Sequence, residues 1–176
     1  ILSLSPSDRV HLCADLHLCP HDPISGLERW GASFLKGDHV VILGDLFEAW
    51  IENFWSHQKG YDEALELFKS WHQRGCHLHL VMGNRDVLAG RQLLNISGFN
   101  IYAGPLLLQG PSHNLLLIHG DELLPDDISY QRYKVFVRNP LIQFFLRCLP
   151  LGVLLKLAGQ TRRQSIQKTT RLPGDA

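Results

Sequence analysis

Residues 76–86 read CHLHLVMGNRD. The alternation of His and Leu, running on into Val and Met, is a strand pattern, and it stops at a glycine followed by Asn84, Arg85 and Asp86. Three more apolar runs end in the same manner. VHLCA (10–14) runs into Asp-Leu-His, HVVIL (39–43) into Gly-Asp, and NLLLI (114–118) into His-Gly-Asp. Between them lie helical spacings. One covers 23–35, with Leu27, Trp30, Phe34 and Leu35, closed by Gly37; the other covers 61–74, with Leu65, Phe68 and Trp71, acids in its first turn and Gly75 at its end. Further strands are expected at 99–103 and 106–109. Strand and helix alternating in this order predict an α/β fold with a largely parallel core, in which the carboxyl ends of the strands gather into one crevice.

The 176 residues are 45% hydrophobic and 19% charged, which suits one domain with a core of its own. Cys13, Cys19, Cys76 and Cys148 form no CxxC pair, so reduced thiols are expected rather than a disulfide framework. A net charge of zero conceals an asymmetry: residues 1–127 hold 8 Lys/Arg against 16 Asp/Glu, and residues 128–176 hold 9 against one. That split reads either as a cation-holding half beside an anion-facing half, or as two differently solvated faces. The stretch 141–159 is apolar around most of a helical wheel, yet Arg147, Pro150 and Lys156 make it a poor membrane span. A buried helical hairpin and an apolar lid that meets lipid both fit it. The N-terminus carries no charged-then-apolar leader.

Taken singly, the polar strand ends have ordinary explanations. Asp15 and His17 can cap a turn, Gly-Asp at 44–45 is a common turn, and Asn84 after a glycine suits a left-handed turn. Together they form a set of carboxylates, imidazoles and one amide oxygen, which suits a divalent ion such as Mn²⁺ or Zn²⁺. Asp45, on the middle of three strands, is the natural bridge between two ions; Asp15 and His17 would serve one, Asn84 and His119 the other. Two ions ~3.5–4 Å apart can clamp a phosphoryl group and turn a water into hydroxide. No P-loop or G-x-S-x-G competes with that reading.

The combination DLH, GDLFEAW, GNRD and HGD resembles the calcineurin-like metallophosphoesterases, with their D-x-H, G-D, G-N-H-[DE], H and late G-H-x-H motifs. Within them, ADLHL, GDLFEAW, GNRD, HGDELLPDD and YQRYKVFVRNP resemble the UDP-2,3-diacylglucosamine diphosphatases of lipid A biosynthesis, over about residues 10 to 165. The resemblance implies a layered β-sheet core with flanking helices over 1–125, a helical lid inserted over 126–165, and an incomplete return to the core over 166–176. It implies two Mn²⁺ per chain, one on Asp15, His17 and Asp45, the other on Asp45, Asn84 and His119. It places Asn84, Arg85, Asp127 and Ser165 at the substrate and Asp45, Asn84, Arg85 and His119 in catalysis; Lys168 and Arg171 receive no assignment, and Asp86 is expected to be an orienting partner. The expected reaction cleaves the pyrophosphate of UDP-2,3-diacylglucosamine to UMP and 2,3-diacylglucosamine 1-phosphate. The expected location is the cytoplasmic face of a Gram-negative inner membrane, with no nucleic-acid partner. The rival expectations are a phosphodiesterase of a soluble nucleotide and a non-catalytic binding module of the same fold. This chain departs from the family in having no His after His119, so each metal lacks one ligand. Either the chain is clipped before the G-H-x-H motif or the protein has weakened metal sites; with no initiating Met, a clipped chain is expected.

Arg85 occupies the place where the wider family has a histidine. A histidine can protonate a leaving alkoxide, whereas guanidinium keeps its charge. Arginine instead holds phosphate oxygens in a fork and neutralises charge that builds in the transition state. That suits a leaving group that is already a good anion, such as one side of a diphosphate. A surface ion pair between Arg85 and Asp86 is the plainer alternative.

Overall fold

The computed structural model describes residues 1–48, 50, 59–86, 89–120 and 139–150, with isolated positions at 123, 132, 135, 136, 152 and 153. Seven strands are seen among them: β1 (Leu2–Ser3), β2 (Val10–Ala14), β3 (His39–Leu43), β4 (His77–Val81), β5 (Phe99–Tyr102), β6 (Leu106–Gln109) and β7 (Asn114–Leu117). Helices α1 (Ser25–Gly31), α2 (Asp62–Gln73) and α3 (Arg91–Ser97) connect the strands from β2 to β5, and α4 spans Pro140–Cys148.

The strands make two sheets. The first has the order β2-β3-β4-β5 and is parallel throughout; the second has the order β1-β6-β7, with β1 parallel and β7 antiparallel to β6. HVVIL reads as a continuous apolar run because β3 is covered on both faces. Val40 and Ile42 join Leu78, Leu80 and Phe99 in a core against the helices, where Leu65, Phe68 and Trp71 of α2 also lie. Val41 turns the other way, joining Val81, Leu106, Leu108 and Leu117 between the two sheets. The expected face of α2 is buried, and so are Leu27 of α1 and Phe34 just beyond it, with one difference. Helix α1 is shorter than 23–35, and Leu35 lies beyond it, 58% exposed. At α1 the close approach is made by Gly31, where a Cβ would stand 2.4 Å from the Trp71 ring.

The histidines of β3 and β4 lie on the inter-sheet side. The His39 and His79 rings are hydrogen-bonded at 3.1 Å, and His79 Nδ1 is 3.2 Å from the Tyr102 hydroxyl. Asp8 approaches His39 Nε2 at 3.8 Å, and His77 stacks on His39 with centroids 4.8 Å apart. At the opposite face, buried Asp38 ties β2 to the chain entering β3: one carboxylate oxygen accepts from Arg9, His11 and the Leu35 amide, each at 2.9 Å.

Strand β1 and helix α3 were not foreseen: the first is two residues long, and the second lacks an acidic first turn. Asn139 and Pro140 start α4: the Asn139 side chain accepts from the Leu141 amide and Pro140 opens the helix. Leu141, Phe144 and Phe145 of α4 are exposed. Most of the lid expected over 126–165 and the return segment over 166–176, with Asp127, Ser165, Lys168 and Arg171, lie outside the described residues. The four cysteines are free thiols, and burial pushes Cys13 up to about 12. Among the described residues no helix is long and apolar enough to cross a membrane.

Candidate metal centre

Parallel pairing sets the site. Because β2, β3 and β4 run in step, Ala14, Leu43 and Val81 are in register and the three following loops leave the sheet side by side. The pairing of β2 with β3 continues past the strand ends, through amide bonds from His17 to the Asp45 carbonyl (2.8 Å) and from Leu18 to the Leu46 carbonyl (3.1 Å). To make these turns, Asp15 (φ 52), His17 (φ 44) and Asp45 (φ 50) all take left-handed backbone, which is costly for residues other than glycine. Such departures gather at functional sites.

Asp45 is at the centre and almost fully buried. Its Oδ2 lies 3.8 Å from His17 Nε2, and its Oδ1 lies 3.7 Å from His119 Nε2. The two oxygens therefore face two different histidines, one from the first sheet and one from beyond β7 of the second. Asp15 closes the group, with Oδ1 3.8 Å from His17 Nε2. Asp15, Asp45 and His119 each offer a ligand atom within 4.8 Å of the others.

The donor chemistry fits a divalent cation. His119 Nδ1 is 2.8 Å from the Leu43 carbonyl; a proton on that nitrogen leaves the Nε2 lone pair directed at Asp45. His17 presents Nε2 to both carboxylates, while its buried Nδ1 has no hydrogen-bond partner. Two carboxylates and two imidazole nitrogens converging in this way suit Mn²⁺ or Zn²⁺. Asn84 is exposed on the β4 loop, and no described contact ties its amide to the other four residues.

Both glycines of the motifs make room. A Cβ on Gly44, itself at φ 76, would stand 2.3 Å from His119 Nδ1. A Cβ on Gly83 would stand 2.4 Å from Asp45 Oδ1. Gly83 is thus needed for close approach rather than for a bend, since its φ is not left-handed.

Asp86, expected to orient a neighbour, is given its partners, and Glu48 emerges as a residue that spacing did not identify. Asp86 is 1% exposed, and its carboxylate accepts from the amides of Asp45 (2.7 Å), Gly83 (3.0 Å) and Leu46 (3.3 Å), lacing the β3 loop to the β4 loop. Burial pushes its pKa up to about 6, with the charge of Asp45 adding and the three amide bonds opposing. An ion pair between Arg85 and Asp86 is therefore not what the loop contains. Arg85 is paired instead with Glu48, and its Nε lies 3.5 Å from Asp45 Oδ2. The Arg85 amide also donates to Asp45 Oδ1 at 3.0 Å.

A family model for calcineurin-like phosphoesterases matches residues 8–155. The chain belongs to the calcineurin-like phosphoesterase family. That family consists of metal-dependent hydrolases, and the α/β architecture here accords with its fold. The chain is similar to the UDP-2,3-diacylglucosamine hydrolase of Pectobacterium carotovorum, 36% identical over 161 residues, which cover 90% of this chain and 67% of that protein. It is similar also to proteins of the same name from Serratia proteamaculans (35% identical; 88% of this chain and 65% of that one) and Yersinia pseudotuberculosis (32%; 89% and 66%). The chain thus spans about two thirds of the length of these relatives. Among solved structures, a protein of unknown function from Aquifex aeolicus aligns with a TM-score of 0.49 at 22% identity, covering 75% of this chain and 71% of that one.

Proposed function

We propose that the protein cleaves the pyrophosphate bond of UDP-2,3-diacylglucosamine, giving UMP and 2,3-diacylglucosamine 1-phosphate. The observation that carries this reading is Arg85 standing beside Asp45, whose two carboxylate oxygens face different histidines. Asp15, His17 and Asp45 would hold one Mn²⁺, and Asp45, Asn84 and His119 the second. When bound, these ions would supply an activated water and neutralise phosphoryl oxygens. The chain's own residues do the rest. The Leu43 carbonyl fixes the His119 ring, Asp86 fixes the backbone on which Asp45 sits, and the Arg85 fork binds phosphate oxygens and offsets the charge of the departing phosphate. The names of the relatives support the substrate.

The same reading assigns 1–125 to the catalytic core, 126–165 to a lid that shelters acyl chains and 166–176 to the return toward the core. Asp127 and Ser165 would contact the substrate. Exposed Leu141, Phe144 and Phe145 support a peripheral seat on the cytoplasmic face of the inner membrane. The test is UMP release by the full-length protein with Mn²⁺. Activity should be lost in Asp45→Ala, and substantial residual turnover would overturn the bridging role. Arg85→His should impair diphosphate cleavage. If that variant cleaved aryl phosphodiesters better with its diphosphate activity intact, the role given to Arg85 would fall.

A further inference from the structure

We infer that Glu48 is a positioning residue whose single carboxylate sets both the tautomer of His17 and the aim of the Arg85 guanidinium. The inference rests on the reading that this site takes divalent cations and a diphosphate. Glu48 lies beyond β3, and the prolonged pairing of the β2 and β3 loops brings it back to the site. Leu18 and Phe47 form an isolated parallel bridge, and the Glu48 amide donates to the Leu18 carbonyl at 2.9 Å. The backbone beneath the side chain is therefore held by the loop that carries His17.

The two oxygens of Glu48 face different groups. Oε1 accepts a hydrogen bond from Arg85 Nη1, and Oε2 lies 3.8 Å from His17 Nδ1. That Nδ1 is buried and has no hydrogen-bond partner, and Glu48 Oε2 is the carboxylate oxygen facing it. Nε2 of the same ring points at Asp15 and Asp45. A carboxylate on Nδ1 favours the tautomer with its proton there, leaving Nε2 free to bind a cation and making it more basic. On the other side, Arg85 has Nη1 on Glu48 and Nε 3.5 Å from Asp45 Oδ2. Contacts at two separate nitrogens, Nη1 and Nε, fix the plane of the guanidinium, leaving its remaining N–H groups for an anionic ligand. One side chain thereby couples the cation side of the site to its phosphate side. In this role Glu48 acts through His17 and Arg85 rather than on the cation or the reacting phosphorus.

The test uses the full-length protein and reads Mn²⁺ affinity by calorimetry alongside kcat and KM. Glu48→Ala is expected to weaken Mn²⁺ binding 10- to 100-fold, the range seen when carboxylates behind ligating histidines are removed. Glu48→Gln keeps the volume but loses the charge, and is expected to weaken Mn²⁺ binding by about 10-fold. At saturating Mn²⁺ both variants should retain a defect in diphosphate cleavage, which should largely vanish in an Arg85→Ala background, while the Mn²⁺ defect persists there. Wild-type Mn²⁺ affinity in Glu48→Gln would mark the side chain as merely structural and overturn the inference. Equal cleavage losses with and without Arg85 would overturn its second half. If the wild-type protein binds Mn²⁺ but leaves the diphosphate intact, the proposed substrate falls, and the Mn²⁺ titrations alone decide the role of Glu48 toward His17.

Discussion

Replacing Asp86 with alanine strips the acceptor from three amides at once. The Asp45 and Gly83 bonds are short, at 2.7 and 3.0 Å, and the Leu46 bond at 3.3 Å is weaker. Leaving a buried donor without a partner costs ~1–3 kcal/mol. Three such losses would sum to several kcal/mol, but the carboxylate's own burial works against the wild type, as its raised pKa of about 6 records. The expected net loss for Asp86→Ala is therefore about 3 kcal/mol. Asp86→Asn keeps one oxygen for the two short bonds without burying a charge, so it should stay within about 1 kcal/mol of wild type. Urea unfolding of the full-length protein, followed by Mn²⁺ titration, separates the two variants. Because Asp86 holds the Asp45 amide, the alanine variant should also lose Mn²⁺ affinity, by about 10-fold or more, on the scale of other groups that orient ligands. An alanine variant as stable as the asparagine variant, with unchanged Mn²⁺ affinity, would refute the role given to this carboxylate.

Gly83→Ala would place a methyl 2.4 Å from Asp45 Oδ1 and 2.7 Å from the Asp45 backbone nitrogen, so the two loops must part: activity and Mn²⁺ binding should collapse and the melting temperature should fall as well. Wild-type turnover in that variant would contradict the packing described. Gly31→Ala tests the core without touching the site: the new methyl meets the Trp71 ring at 2.4 Å, and overpacking should cost about 1–3 kcal/mol in urea unfolding, with kcat unchanged. Acid should destabilise the fold through His79, which burial, with the neighbouring His39 and His77, pushes down to about 4. Between pH ~6.5 and 4 the unfolded chain takes up a proton that folded His79 refuses, so stability falls as pH drops, by up to about 3 kcal/mol. His39, pushed down chiefly by burial and also by His77, although Asp8 and Asp38 oppose, adds in the same sense. His79→Phe should flatten that part of the curve.

The parallel core was legible because HVVIL is the apolar run of a strand covered on both faces and CHLHLV alternates with the strand period. The convergence of Asp15, His17 and Asp45 followed from the register of those strands. What was not legible depends on contacts that no spacing encodes. Glu48 reads like any acid in a loop until the β2 and β3 loops are seen to continue pairing, and the place of Asp86 suggests an orienting partner without saying which amides it holds. The close approach of Gly83 to Asp45 joins residues from different loops. The second sheet was the weakest signal: β1 is two residues long, and β7 exposes most of its side chains, so neither gives a firm period.

The left-handed backbone at Asp15, His17 and Asp45 has a consequence for anyone seeking a hardier variant. Each of these residues works against its own conformational preference by roughly 1 kcal/mol or more. Glycine at any of the three would relieve that cost. Selection on heat resistance alone would thus be drawn toward the positions that make the site, and would return sturdy proteins with nothing left to grip a cation.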